Sequence, residues 1–288
     1  MGAMLIAATG FSQNESLIDQ GKQNTADVNQ MSTVDLYNFS DVYQRGENDA
    51  DIDQIGQNSS IVEQHGQNFA IVYQDGGDGW NNLIQESEVV QRGKNNLADI
   101  EQFGERNQSY VDQANDGNTY GEGTKKGNKA KIYQEGNRNF SDVGQKNDAN
   151  KAKTTQVGNL NRSYTTQESY NTAESMLANS WMQISKVDQF GYANYSRVFQ
   201  FGDNNMSKVT QSADAPGDGY TNEARVFQNG ELGDSMIDQS DCLEVAANNY
   251  AMVRQTNDIG SLGGNKSTVL QKGANTANVT QVNGIDIH

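Results

Sequence analysis

From residue 14 to residue 281 the chain repeats one pattern of polar and apolar positions, Asn-x-(Ala/Ser)-x-(Val/Ile/Thr)-x-Gln, often followed by x-Gly-x-(x)-Asn. Asn48-Asp-Ala50-Asp-Ile52-Asp-Gln54 runs through Gly56 into Asn58-Ser-Ser60-Ile-Val62-Glu-Gln64, and then into Asn68-Phe-Ala70-Ile-Val72-Tyr-Gln74. Asn107 to Gln113, Asn194 to Gln200 and Asn205 to Gln211 repeat it further along. The four marked residues fall at i, i+2, i+4 and i+6, the period of a β-strand, so they share one face. That face carries Asn, a small residue, a β-branched residue and Gln, and reads as interior. The alternate face holds Asp, Glu, Lys, Arg, Thr, Tyr and Phe in no fixed order, as solvent tolerates. Gly56, Gly66, Gly104, Gly136, Gly158, Gly191 and Gly202, two residues past the Gln, supply the backbone freedom for a sharp turn.

Twenty-one units end in the signature Gln, most of them 10 or 11 residues apart. Two wider gaps of 21 and 22 residues hold degenerate copies ending near Thr124 and Leu177, for about 23 units in all. Strands this short could form hairpins or a coil of parallel strands. The near-identity of successive units favours the coil, where each unit stacks on the unit two before it and like lies above like at about 4.8 Å. Buried amides then donate and accept along the axis, which removes the cost of burying Asn and Gln unsatisfied. The predicted fold is all-β, a two-sheet β-solenoid of about 11 turns with two short strands per turn. Asn48, Gln54, Asn58, Gln64, Asn68, Gln74, Asn107, Gln113, Asn194, Gln200, Asn205 and Gln211 form its core ladder. Counting the degenerate copies places the insertions after Gln30, Gln74, Gln211 and Gln239 on one edge and only that before Gln271 on the other, which predicts one elaborated and one plain edge.

Composition alone suggests disorder: 34% of residues are hydrophobic and the net charge is -16. The periodicity overturns that reading. The excess of 37 Asp and Glu over 21 Lys and Arg argues against nucleic acid and against an anionic membrane surface. No apolar run is long enough for a transmembrane helix. A lone Cys242 excludes an intramolecular disulfide framework and reads as a tolerated small residue. Residues 1–12 read as a truncated secretory signal, lacking its basic segment, or as an N-terminal extension; residues 13–288 read as one repeat domain.

The unit resembles the curlin repeat of bacterial curli subunits, Gln-x-Gly-x-x-Asn-x-Ala-x-x-x-Gln. Gln102-Phe-Gly104-Glu-Arg-Asn107-Gln-Ser109-Tyr-Val-Asp-Gln113 matches with Ser for Ala, as does Gln200-Phe-Gly202-Asp-Asn-Asn205-Met-Ser207-Lys-Val-Thr-Gln211. The resemblance implies a curlin-like amyloid core, export through the outer membrane, an extracellular cell-surface fibre of a biofilm matrix, and accessory secretion and nucleation proteins. It departs from the best-known subunits in having about twice as many units, several shorter turns and long inserts.

The chain's own residues offer little competing chemistry. Asp51, Asp53 and Glu63 recur as part of a solvated face, so no catalytic pair is assigned. His65 and His288 have no metal-site spacing, and neither a metal nor a cofactor is expected. The Asp/Gly-rich loops at 75–79 and 214–219 offer oxygen ligands but lack a calcium-array pattern. A soluble β-solenoid binding carbohydrate, ice or calcium is the alternative, although the outward row before Gln is irregular. Outward Tyr73, Tyr133, Phe199 and Phe227 could form adhesive patches. A coil leaves unpaired backbone at each end, so the self-association expected is end to end, Gln20 and Gln30 of one copy docking on Gln271 and Gln281 of another.

Overall fold

The computed structural model describes residues 14–21, 23–32, 37–76, 84–115, 127–169, 183–213, 222–240, 248–257 and 264–283. Within them the chain is built from 19 parallel strands. One set comprises β1 (Glu15–Gln20), β3 (Asn38–Gly46), the first half of β5 (Asn58–Gly76), the first half of β6 (Gln85–Glu105), β7 (Gln108–Ala114), β9 (Phe140–Lys146), β11 (Arg162–Glu168), β13 (Tyr195–Asp203), β15 (Glu223–Glu231), β17 (Tyr250–Asn257) and β19 (Thr276–Asn283). Each pairs in parallel with the next of that set, and we call this ladder A. Ladder B comprises β2 (Thr25–Met31), β4 (Asp49–Ile55), the second halves of β5 and β6, β8 (Lys129–Asn137), β10 (Asn150–Asn159), β12 (Gln183–Tyr192), β14 (Asn205–Ala213), β16 (Asp234–Ser240) and β18 (Lys266–Lys272), paired in the same way. Because β5 and β6 each run through a turn and serve both ladders, the whole is one 19-stranded sheet.

Each unit therefore stacks on the unit two before it, and the register keeps like on like. Gln64 lies opposite Gln44 and Gln91, and Val62 opposite Val42 and Val89. The alternation expected from the period holds along most strands: β9 reads intermediate, buried, intermediate, buried along its length, while in β12 the outward Asp188 is buried as well. The buried apolar side chains are those of the β-branched and small positions, in two clusters. One runs from Val42 to Ala152 and the other from Val187 to Val269. Between them lie Thr154 and Thr165, buried at the β-branched position of β10 and β11.

The turns explain why some units are one residue shorter. Where successive signature Gln residues are 10 apart, as from Gln64 to Gln74, one residue has positive φ, Gly66 at 117°. Where they are 11 apart, two residues do, spaced two apart: Gly104 (101°) with Arg106 (56°), and Gly158 (115°) with Leu160 (59°). The added residue is accommodated by a second left-handed step, one that non-glycine residues adopt at a cost. Glycine is needed for a further reason at Gly66, where a Cβ would come within 1.8 Å of the Gly93 carbonyl oxygen one rung away.

Two expectations change. The register passes over the degenerate copies near Thr124 and Leu177: β6 meets β8 and β7 meets β9 directly, and β10 meets β12 and β11 meets β13 directly. Those copies themselves lie outside the described residues, as do residues 1–12, Cys242, His288 and most of the Asp/Gly-rich loops. The described rungs thus number 21, not 23, and the plain edge disappears. Insertions after Gln30, Gln74, Gln211 and Gln239 join ladder B to ladder A, but those after Gln113, Gln167 and Gln255 join A to B. The division is four against three because two spans that had been counted as units are connections.

Candidate self-assembly site: the amide ladders

Gln closes each unit on the interior face, and the in-register stacking puts successive Gln side chains one strand spacing apart. In ladder A, Gln20 Nε2 donates to Gln44 Oε1 at 2.7 Å, Gln44 to Gln64 at 2.7 Å, and so on without a break to Gln255 and Gln281 at 2.8 Å. Ladder B repeats this from Gln30 to Gln54 at 2.9 Å through to Gln239 and Gln271 at 2.7 Å. Every bond has the same direction, the Nε2 nearer the N-terminal end donating to the Oε1 of the next rung. The second Nε2 hydrogen goes to a backbone carbonyl of the other ladder, as from Gln54 to Phe39 (3.0 Å) and from Gln64 to Asp49 (3.2 Å). Each Gln of the ladders beyond Gln20 thus fastens the two ladders together and, wherever a further rung follows, satisfies its donors, which makes complete burial of an amide tolerable.

The Asn side chains form a second ladder of opposite direction. Asn48 donates from both its backbone N and its Nδ2 to Asn24 Oδ1, at 2.8 and 3.1 Å, and Asn68 does the same to Asn48. Asn58 bonds Asn38, Asn139 bonds Asn107 through its backbone N, and Asn194 lies between Asn161 and Asn222. All twelve expected core amides, from Asn48 to Gln211, are buried. The Asn ladder is not continuous, however. Gln85 sits opposite Asn58, Gln183 sits opposite Asn205, and Gly233 N donates to Asn205 Oδ1 at 2.9 Å, so Asn205 has no Asn above or below it. Glutamine occupies the place without bonding across it, leaving Asn58 Oδ1, Gln85 Oε1 and Gln183 Oε1 buried without a hydrogen-bond partner, whereas a turn glycine supplies a backbone N in register.

At the ends the same side chains are half-buried. Gln20, Gln30 and Gln281 are intermediate in exposure, while Gln271 is 7% exposed. Among the described residues β1 pairs only with β3, β2 with β4, β18 with β16 and β19 with β17.

The outward face carries rows of aromatic rings that include the Tyr73, Tyr133, Phe199 and Phe227 expected there as patches. Tyr110, Phe140, Tyr164 and Tyr195 follow one another at 5.2–5.8 Å between centroids. Tyr73, Phe103 and Tyr133 form a second row, and Phe201 links Phe199 to Phe227. Arg197 and Arg254 lie over Phe199 and Phe227 at 4.5 and 5.4 Å. Carboxylates crowd elsewhere on that surface. Burial and then Asp112 hold Asp142 above its usual value of 3.8, and burial with Asp53, Asp27 and Asp49 does the same to Asp51. His65 hydrogen-bonds Glu63 at 2.9 Å. Among the described residues no His, Cys, Asp and Glu group has metal-site geometry, and no helix is long and apolar enough to cross a membrane.

A parallel β-stack of short repeats, solenoid-like and bound along its axis by buried amides, is the class of protein these features define. The family model of the curlin associated repeat matches residues 93–119 and 186–212, so these two segments are similar to that repeat. The first matched segment covers the second half of β6 and β7, and the second runs from within β12 through β13 into β14. No curated protein matches the chain.

Proposed function

We propose that the chain is a secreted, self-assembling structural subunit of extracellular curli-like fibres, without a catalytic role, growing end to end by strand stacking. In this reading the two ladders are the two sheets of a solenoid of about 11 turns, and residues 13–288 act as one repeat domain. The observation that carries it is the Gln ladder, continuous over every described rung and of one direction. It presents Oε1 acceptors at Gln20 and Gln30 and Nε2 donors at Gln271 and Gln281, so one end is complementary to the other and the ladder can extend from copy to copy. The curlin repeat supports the same conclusion and brings with it the extracellular location, a role in biofilm adhesion, and curli-type secretion and nucleation partners.

X-ray fibre diffraction with thioflavin kinetics on the purified full chain tests the proposal. Aligned material should show reflections near 4.8 Å along the fibre axis and about 10 Å across it. A chain that stays a monodisperse rod at all concentrations, without thioflavin response, refutes it.

A further inference from the structure

The two ladders are unequal. Ladder A has eleven described rungs, from β1 to β19, and ladder B has ten, from β2 to β18. If copies stacked end to end through their described rungs with A on A and B on B, ladder B would be one rung short of ladder A at every junction. A missing rung would interrupt the Gln–Gln bonds, which run unbroken through the described rungs of both ladders. We infer that successive copies are related by a half-turn about the fibre axis, so that ladder A of one copy continues as ladder B of the next. Each side of the fibre then gains 21 rungs for every two copies, with none absent. The inference rests on the end-to-end reading above.

The small interior position supplies an independent observation. In ladder A it is Ser in the first eight rungs, from Ser16 to Ser196, and Ala in the last three, Ala224, Ala251 and Ala277. In ladder B the order is reversed: Ala in the first six rungs, from Ala26 to Ala152, and Ser in the last four, Ser185, Ser207, Ser235 and Ser267. Each ladder therefore ends on the residue type with which the other begins. The half-turn places Ser16 on Ser267 and Ala26 on Ala277, and both columns run through the junction unchanged. Without rotation Ser16 meets Ala277, and Ala26 meets Ser267. The match is one of side-chain size and shape first: Ser196 bonds Ser163 at 3.2 Å and Ser207 bonds Ser185 at 3.4 Å, but the Ser16, Ser40 and Ser235 hydroxyls are buried without such a bond.

The outward residues agree. In the register of the existing pairs, the half-turn sets Glu15 beside Lys266, which already lies 3.7 Å from Asp234 on the rung below, so unlike charges alternate across the junction. The unrotated junction sets Glu15 beside Thr276. Asn14 falls on Asn265 and Asn24 on Asn275, Gln20 on Gln271 and Gln30 on Gln281, which keeps both amide ladders and their opposite directions intact.

Cysteine cross-linking distinguishes the two junctions. In a Cys242→Ser background, Leu17→Cys is combined with Thr268→Cys or with Asn278→Cys. Adjacent strands hold Cα atoms about 4.8 Å apart, inside the disulfide range of about 4.4–6.8 Å. Leu17 neighbours Thr268 of the next copy only after a half-turn, and Asn278 only without one. Fibres confirmed by thioflavin are oxidised and run on a non-reducing gel. Ladders of covalent oligomers from the Leu17/Thr268 pair alone are expected. Oligomers from the Leu17/Asn278 pair, or none from either while fibres grow, overturn the half-turn and leave the fibre reading standing. Absence of fibres from the unaltered chain fails that earlier reading and this one with it. Helical reconstruction of unaltered fibres is a second measurement that needs no variant. It should give a rotation near half a turn per copy with an advance of about 50 Å, where the unrotated stack gives none and about 53 Å.

Discussion

Replacing one amide in the middle of the Gln ladder should cost far more than the same change at its end. Gln102 is fully buried; it accepts from Gln74 at 2.8 Å and donates to Gln134 at 2.7 Å and to the Glu86 carbonyl at 3.1 Å. Gln102→Leu leaves one N–H of Gln74 and the Oε1 of Gln134 without partners in a site water cannot reach. At about 1–3 kcal/mol for each orphaned group, the gross loss is about 2–6 kcal/mol. Burial of the leucine returns at most about 1.5–3 kcal/mol, which leaves a net destabilisation of about 2 kcal/mol. Gln281 makes one bond to Gln255 and one exposed bond to Lys266, and solvent can replace both, so Gln281→Leu should cost under about 1 kcal/mol. Urea unfolding of the monomeric chain, followed by circular dichroism, measures both. Equal shifts for the two variants, or an unchanged midpoint for Gln102→Leu, would refute the idea that reciprocal amide satisfaction stabilises the stack.

Four other outcomes follow from the same geometry. Gly66→Ala combines a left-handed backbone with a Cβ 1.8 Å from Gly93 O and should cost about 2–5 kcal/mol in thermal melts, whereas Gly144→Ala, with nothing within 4 Å of its Cβ, should lie within about 0.5 kcal/mol of the parent. Thr154→Val, extending the first apolar cluster, should raise stability by about 1 kcal/mol, because the Thr154 hydroxyl is buried without a hydrogen-bond partner; a lower melting temperature would contradict this. Asp142 has its folded-state pKa raised, so the folded chain binds that proton more tightly than the unfolded one and gains stability as the pH falls through the raised value. Asp142→Asn should therefore be the more stable form at neutral pH and lose that part of the acid-side gain, as read from melting temperature against pH. Deleting residues 265–288 removes β18 and β19 and should slow fibre elongation in seeded thioflavin assays while circular dichroism shows the remaining stack still folded.

Much of the fold was legible because the repeat is short and its period is that of a strand. The interior face, the turn glycines, the parallel stacking of every second unit and the burial of all twelve amides from Asn48 to Gln211 follow from the spacing of Asn, Ser or Ala, a β-branched residue and Gln. What misled was the treatment of the long gaps as degenerate units. Local similarity near Thr124 and Leu177 cannot show whether a segment is hydrogen-bonded to a neighbour 20 to 33 residues away, which is the separation over which these ladders close. The row that begins with Tyr110 and Phe140 was equally hidden, since these two become adjacent only when β7 lies against β9.

The amino-acid sequence by itself determined the unit: which side chains point inward, where each strand turns, and that the buried amides need partners on neighbouring rungs. The tertiary structure alone decided the count and the polarity. Which segments became rungs, which edge each insertion joins, and the single direction shared by every Gln–Gln bond all depend on register between distant strands. Side-chain alternation is set within one strand by backbone geometry, but register is chosen by the whole stack at once.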